Sequence, residues 1–353
     1  MLRKSNTLKE AIKNMYLVYI IMAILAFGVL IIVHELGHFT LAKLNGVRVE
    51  EFSLGMGPLI FSKQGKETKY SLRLFPIGGY VNMMGENEVV EDERSFSTKP
   101  PLRRISIIIA GVLMNYVLAI VIFTTIIHNF GYTNTTPTEV VPSSPAYEAG
   151  ILAGDKILKV NGLRAFSYDN IYAGVALSYG NPIDISIERN GEKKDITVTP
   201  RKNENGQLLI GVNFTKVQNP GIGESFKQSF NQTASLVSQT FKGLEMIFTG
   251  KANLKTDVGG PITIIKMSAA TAQLGIWNLA NFVGFLSVNL AVFNLLPFPA
   301  LDGGWCVILL IELITRRKVP DKIVGALNYV GFAALIGLMI LVTIKDIIFP
   351  VNF

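Results

Sequence analysis

Charge is scarce in this chain. Asp, Glu, Lys and Arg make up 17% of its 353 residues, against about a quarter in soluble domains, and the mean hydropathy is +0.39. That balance excludes an ordinary soluble protein and points to an integral membrane protein with some soluble mass attached. Cysteine is scarcer still. Cys306 stands alone in an apolar stretch, so no intramolecular disulfide and no multi-cysteine zinc site can form, and it reads as a small buried apolar residue. Histidine occurs three times, at 34, 38 and 128, which limits any histidine-based metal site. There is no separate basic patch behind the net charge of +7. The basic residues lie beside apolar runs, which fits membrane-flanking loops and argues against a nucleic-acid partner.

What the chain does have is long apolar runs. Met15 to Val33 contains no charged residue, which is enough to cross a bilayer as a helix. The run is longer than a signal-peptide core, and His34-Glu35-Leu36-Gly37-His38 stands where a small-residue cleavage site would be needed, so a cleaved leader is not expected. Four spans are expected, over 16–40, 105–128, 279–315 and 324–349. The third is interrupted by Pro297, Pro299, Gly303 and Gly304 around Asp302. A break of this kind frees backbone polar groups and is tolerated where the site is buried in protein or lined by water. With an acid inside it, the break reads as the wall of a functional cavity.

The distribution of Lys and Arg sets a topology. Segment 43–104 carries ten of them, and Arg316-Arg317-Lys318 follow the third span. Both should be cytoplasmic, which leaves the 130–278 region and both termini outside. The N-terminal tail, 1–15, carries four basic residues and pulls the other way, but the larger count prevails. Segment 46–90 reads as short strands with Gly78-Gly79 and Gly85 as turns, a β element folding back onto the membrane. Segment 134–202 reads as a compact α+β domain with a hairpin turning at Asn190-Gly191. Region 220–278 holds an amphipathic helix over 222–249 and a connection.

His34 and His38 are four residues apart, so on a helix their rings share one face and can share one metal. Glu35 lies off that face and suits a general base better than a ligand. H-E-x-x-H is the pattern of a zinc peptidase, and an ionisable cluster at membrane depth is costly enough to be functional. Zinc needs a third protein ligand. His128 sits at the far end of the second span, and Glu50 and Glu51 lie in a charged loop segment. Asp302 remains, on a span crossing the same level as His34, where a buried carboxylate needs a cation. Zinc would lower the pKa of water and polarise a peptide carbonyl, with Glu35 taking up and returning the proton.

These residues resemble the site-2 protease family of intramembrane zinc metalloproteases, in particular its bacterial RseP-type branch. The resemblance covers most of 16–349. It rests on HELGH at 34–38, PIGGYVNMMGE at 76–86, FSTKPPLRRISIIIAGVLMN at 96–115, SPAYEAGILAGDKILKVNG at 144–162 and NLLPFPALDGG at 294–304. Val112 stands where the family usually has proline, and Trp305 where a histidine is common. The resemblance implies a polytopic α-helical membrane protein with four transmembrane helices, a membrane-associated β-hairpin or sheet element and an inserted α+β PDZ domain. It implies zinc held by His34, His38 and Asp302, with Glu35 catalytic. It also implies substrate binding at Asn294 and along Gly78, Gly79, Tyr80 and Val81, where a substrate would join as an added strand. For Asn294 an interhelical polar bridge is the competing role.

The expected substrates are single-span membrane proteins or signal-peptide remnants, with anti-sigma factors as the family's example. The expected partners are these substrates, the lipid bilayer and peptide termini at the PDZ domain, in a bacterial cytoplasmic (inner) membrane. Two alternatives are an inactive PDZ-bearing scaffold, against which Glu35 and Asp302 argue, and a zinc hydrolase of lipidated substrates, against which a peptide-reading domain argues.

Overall fold

The computed structural model describes residues 2–86 and 90–350, leaving aside the side chains of 2–17, 76 and 77. In chain order the elements are α1 (Leu2–Leu44), β1 (Val49–Gln64), β2 (Lys69–Met83), α2 (Pro101–Phe130), β3 (Tyr132–Val140), α3 (Pro145–Glu148), β4 (Lys156–Val160), β5 (Leu163–Arg164) and α4 (Tyr168–Ala176). There follow β6 (Ile183–Arg189), β7 (Glu192–Val198), β8 (Arg201–Lys202), β9 (Leu208–Leu209), β10 (Val212–Val217), α5 (Ile222–Phe248), α6 (Pro261–Gln273), α7 (Ile276–Leu295), α8 (Asp302–Thr315) and α9 (Asp321–Ile348). They fall into two compact units, 1–118 with 253–353, and 119–252.

Four helical stretches in the described residues are long and apolar enough to cross a membrane: Val18–Leu44, Pro101–Phe130, Ile276–Leu295 and Asp321–Ile348. Each has the 20 or so residues a bilayer core demands. The tail expected over 1–15 is no separate segment, because α1 runs unbroken from Leu2. The third span expected over 279–315 is divided. α7 spans by itself, and α8 is a separate helix of 14 residues that starts at Asp302. Pro297 and Pro299 cannot donate to a helix, and Ala300 sits at a φ of 70°, so the chain turns between the two helices.

In the first unit, β1 and β2 are both long and sharply bent, and they pair antiparallel. Phe52 lies opposite Val81 on one side and Tyr70 on the other, and Leu54 opposite both Gly79 and Leu72. The first half of β1 is thus held between the two halves of β2, and the far half of β1 pairs again with 69–73. Gly79–Met83 is left, among the described residues, with a strand on one side only. Ala42, Val47, Val49, Phe52, Val81, Ile107 and Leu309 form a shared core. This core ties the end of α1, the sheet, α2 and α8 into one body.

The second unit builds a four-stranded sheet in the order β5-β4-β6-β7, with β3 and β10 paired beside it. Ile183, Ile185 and Ile187 alternate inward along β6, the period of a strand with one buried face, and meet Ile157, Val160, Ile171 and Val175 in the core. β6 turns into β7 at Asn190 and Gly191, both at positive φ, as a two-residue hairpin demands. The first strand, Tyr132–Val140, begins two residues before the start expected for this domain at 134.

Candidate metal centre

The H-E-x-x-H segment lies inside α1, near its C-terminal end. Helical geometry places His34 and His38 one turn apart on the same face, and both are buried, 8% and 7% exposed. Their Nε2 atoms are 3.1 Å apart. Asp302, the first residue of α8, brings its Oδ2 to 3.3 Å from His34 Nε2 and 3.6 Å from His38 Nε2. No other group of three or more His, Cys, Asp or Glu among the described residues converges in this way. Asp302 Oδ2 is buried and has no hydrogen-bond donor.

Three ligand atoms on one tetrahedral zinc at about 2.0–2.2 Å stand roughly 3.4 Å apart. The three measured separations bracket that value, and the unsatisfied carboxylate oxygen is the atom a cation would satisfy. The donor set therefore fits zinc. His38 is oriented from behind, its Nδ1 lying 2.9 Å from the carbonyl oxygen of Ile107. A donated Nδ1 proton leaves the Nε2 lone pair facing His34 Nε2 and Asp302 Oδ2.

Glu35 points off the ligand face, half-buried. The Val81 N–H is directed at its carboxylate, and a Cβ on Gly79 would lie 3.4 Å from its Cγ. The one-sided segment of β2 therefore runs beside the acid. Of the residues expected to bind substrate, Val81 is buried, and Gly78, Gly79 and Tyr80 are half-buried. Asn294, near the end of α7, has its amide nitrogen 3.5 Å from His34 Nε2.

The residues set aside as ligands are engaged elsewhere. Glu51 accepts from Arg73 at 3.0 Å, and Glu50 from Asn82 at 3.4 Å. The ring of His128 donates to the Pro220 carbonyl at 3.2 Å.

Several residues near the site were not singled out from sequence. Asn115 on α2 is wholly buried with its amide nitrogen 3.2 Å from His34 Nδ1. Gly111, one turn before it, leaves the space that both rings occupy: a Cβ there would lie 2.4 Å from His38 Nε2. An asparagine inside an uncharged span was the available signal. Glu86 follows β2. Burial pushes its carboxyl up to about 7, the charges of Glu35 and Asp302 add to the rise, and the Met83 N–H opposes it.

Arg104 is one of the ten basic residues counted over 43–104. It is 6% exposed and donates to the buried carboxylate of Glu312 on α8. It joins the start of α2 to the helix that carries Asp302.

The profile of peptidase family M50 matches residues 22–338. A protein of Clostridium perfringens that bears a provisional zinc metalloprotease name is 52% identical over 333 residues, covering 94% of this chain and 99% of its own. Zinc metalloprotease RasP of Geobacillus kaustophilus is 31% identical over 412 residues, 93% of this chain and 97% of its own. The chloroplastic membrane metalloprotease ARASP of Arabidopsis thaliana is 34% identical over 346 residues, 92% of this chain and 77% of its own.

Proposed function

The chain belongs to peptidase family M50, the site-2 proteases, and is a multi-pass membrane zinc metalloprotease; from that premise we propose that it cuts peptide bonds lying within or beside the bilayer. His34, His38 and Asp302 hold the zinc. The observation that carries this is their three donor atoms converging at 3.1–3.6 Å at the end of a membrane-length helix.

When bound, zinc lowers the pKa of the attacking water and polarises the scissile carbonyl. Glu35 accepts that water's proton on its carboxylate and delivers it to the departing amide nitrogen. A peptide bond in a helix is already hydrogen-bonded and shielded, so a membrane substrate must unwind locally, and its freed backbone groups need partners. The one-sided segment Gly79–Met83 beside Glu35 supplies them by strand addition, starting from the turn at Gly78. Asn294, beside His34, offers its side-chain amide to the substrate backbone.

The chain is read as an RseP-type enzyme of a bacterial cytoplasmic membrane. Residues 134–202 act as a single PDZ-like domain outside the membrane, together with both termini, and 43–104 face the cytoplasm. Two features of the second unit support the PDZ-like reading. It is a small antiparallel sheet closed by α4 around an isoleucine-rich core, and neither histidine nor cysteine occurs over 134–202, which suits binding of peptide termini and not catalysis. Single-span proteins already trimmed outside the membrane, anti-sigma factors among them, and signal-peptide remnants are the substrate class.

The test is co-expression with a tagged single-span helix. Wild type should release the soluble fragment, and Glu35→Gln should hold zinc but release none. Cleavage that persists in Glu35→Gln would sink the mechanism.

A further inference from the structure

We propose that α2 carries the outer shell of the metal centre: Ile107, Gly111 and Asn115 form a stripe against which both histidines carry the proton on Nδ1 when a metal is held, with Asn115 as the positioning residue for His34. The inference rests on the reading of His34 and His38 as zinc ligands.

The stripe matches the ligands in period. His34 and His38 are four apart on α1, and 107, 111 and 115 are four apart on α2, so each ring meets one rung about 6 Å from the next. The two helices are in backbone contact here, since a Cβ on Gly37 would lie 2.4 Å from the carbonyl oxygen of Ala110. At the lower rung, the second lone pair of the Ile107 carbonyl accepts a hydrogen bond from His38 Nδ1 at 2.9 Å, beyond what its own helix needs. At the middle rung Gly111 presents bare backbone, which is itself directed at the His34 ring. A Cβ there would lie 2.4 Å from His38 Nε2 and 2.8 Å from His34 Cε1, so any side chain would displace both rings.

The upper rung is Asn115. Its Nδ2 lies 3.2 Å from His34 Nδ1, while its Oδ1 is buried with no partner. In that orientation the amide donates to Nδ1, and the imidazole proton is left on Nε2, the atom that faces His38 and Asp302. A metal on Nε2 reverses this: the proton moves to Nδ1, which then needs an acceptor. Turning the Asn115 amide over supplies Oδ1 at the same place. One side chain thus serves both the metal-free and the metal-bound tautomer.

Asn115 is also held from the other side. Its backbone carbonyl accepts the Ser287 hydroxyl at 2.8 Å, and both residues are wholly buried. Ser287 belongs to α7, the helix leading into the break before Asp302. The residue that orients His34 therefore ties α2 to the helix that leads into the break before Asp302.

The experiment measures zinc in the purified full chain against a graded competing chelator, and the visible spectrum of the cobalt-substituted protein. Asn115→Leu keeps the shape and removes the acceptor. It should weaken zinc binding by about 10–100-fold and alter the cobalt spectrum. Asn115→Asp keeps an acceptor and should hold zinc at least as tightly as wild type. Gly111→Ala should lose zinc. Wild-type zinc affinity and an unchanged cobalt spectrum in Asn115→Leu overturn the proposal. Should that variant not fold, Asn115→Ser is compared with Asn115→Asp. The shorter serine should bind zinc more weakly, and equal affinities overturn the proposal. His34→Ala is the control for the underlying reading: full zinc retention there removes His34 as a ligand, whatever the Asn115 variants do.

Discussion

The guanidinium of Arg73 donates to the hydroxyl of Tyr80 at 2.7 Å. The same side chain donates to Glu51 at 3.0 Å, to the Ser53 hydroxyl at 3.2 Å and to the Gly57 carbonyl at 2.9 Å. One arginine therefore binds both halves of the bent β1 and the one-sided segment of β2 that runs past Glu35. The planar fork makes this possible, and a lysine ammonium has no equivalent geometry. Arg73→Lys is expected to loosen Gly79–Met83 and lower kcat/KM for a membrane substrate roughly tenfold, equivalent to about 1.4 kcal/mol. Tyr80→Phe, which removes one of the four bonds, should cost less. Because His34, His38 and Asp302 are untouched, metal content should stay at the wild-type level in both.

Gly37 sets the approach of α1 to α2. With its absent Cβ only 2.4 Å from the Ala110 carbonyl oxygen, Gly37→Ala must push the helices apart. Overpacking of this kind costs roughly 1–3 kcal/mol, and here it also separates the histidines from the α2 stripe. Lower thermal stability in detergent and loss of zinc are expected together. Gly28, on the same helix, has open space where a Cβ would stand, with nothing within 4 Å. Gly28→Ala should leave zinc intact and gain up to about 1 kcal/mol from helix propensity.

Asp346 on α9 caps a different helix from its own. Its Oδ1 accepts the Gly260 N–H at 3.1 Å and its Oδ2 the Thr263 N–H at 2.9 Å, satisfying donors that the first turn of α6 cannot use internally. The neighbouring Lys345 donates to the Val258 carbonyl. Asp346→Leu strands both N–H groups, each at about 1–3 kcal/mol when buried. Faster amide exchange and new protease sensitivity around 258–264 should follow, and unchanged exchange there would show the cap to be dispensable.

The second unit has an acid-sensitive latch. Arg189 donates twice to the Asp155 carboxylate, both bonds at 2.7 Å. Burial alone would push the Asp155 carboxyl up, but Arg189 and the Leu152 N–H outweigh it and hold it below the ordinary aspartate range. A carboxyl depressed in the folded state stabilises that state above its unfolded pKa, about 3.9, and the stabilisation fades as pH falls through the folded value. Proteolysis of 134–217 in the full chain should therefore rise below about pH 4. Arg189→Met leaves the buried Asp155 carboxylate without its guanidinium partner, and should raise cleavage near neutral pH.

The parts legible in the sequence are those written in short-range periodicity. A charge-free run of membrane length must be a helix in lipid, since no other open structure satisfies its backbone. Inside a helix, histidines four apart must share a face. Asn190-Gly191 between alternating isoleucines and polar residues must turn. Each of these depends on neighbours within a few residues, so each can be read locally. The break at Pro297 and Pro299 was visible for the same reason. That it separates two helices, α7 crossing alone and α8 beginning at the acid, was not.

What tertiary structure decided is what meets what. Asp302 reaches His34 and His38 because α1, α2 and α8 share one packed core, and no local pattern states that neighbourhood. Arg104 reads in sequence as a flanking charge, yet packing turns it inward onto Glu312. Asn115 reads as one polar residue in an apolar run, and only the close approach at Gly37 and Gly111 brings it to His34. The reason is physical. Propensity and periodicity act over one or two turns, whereas a metal centre needs donor atoms placed to within tenths of an ångström by helices distant in sequence, and steric fit between those helices does the placing.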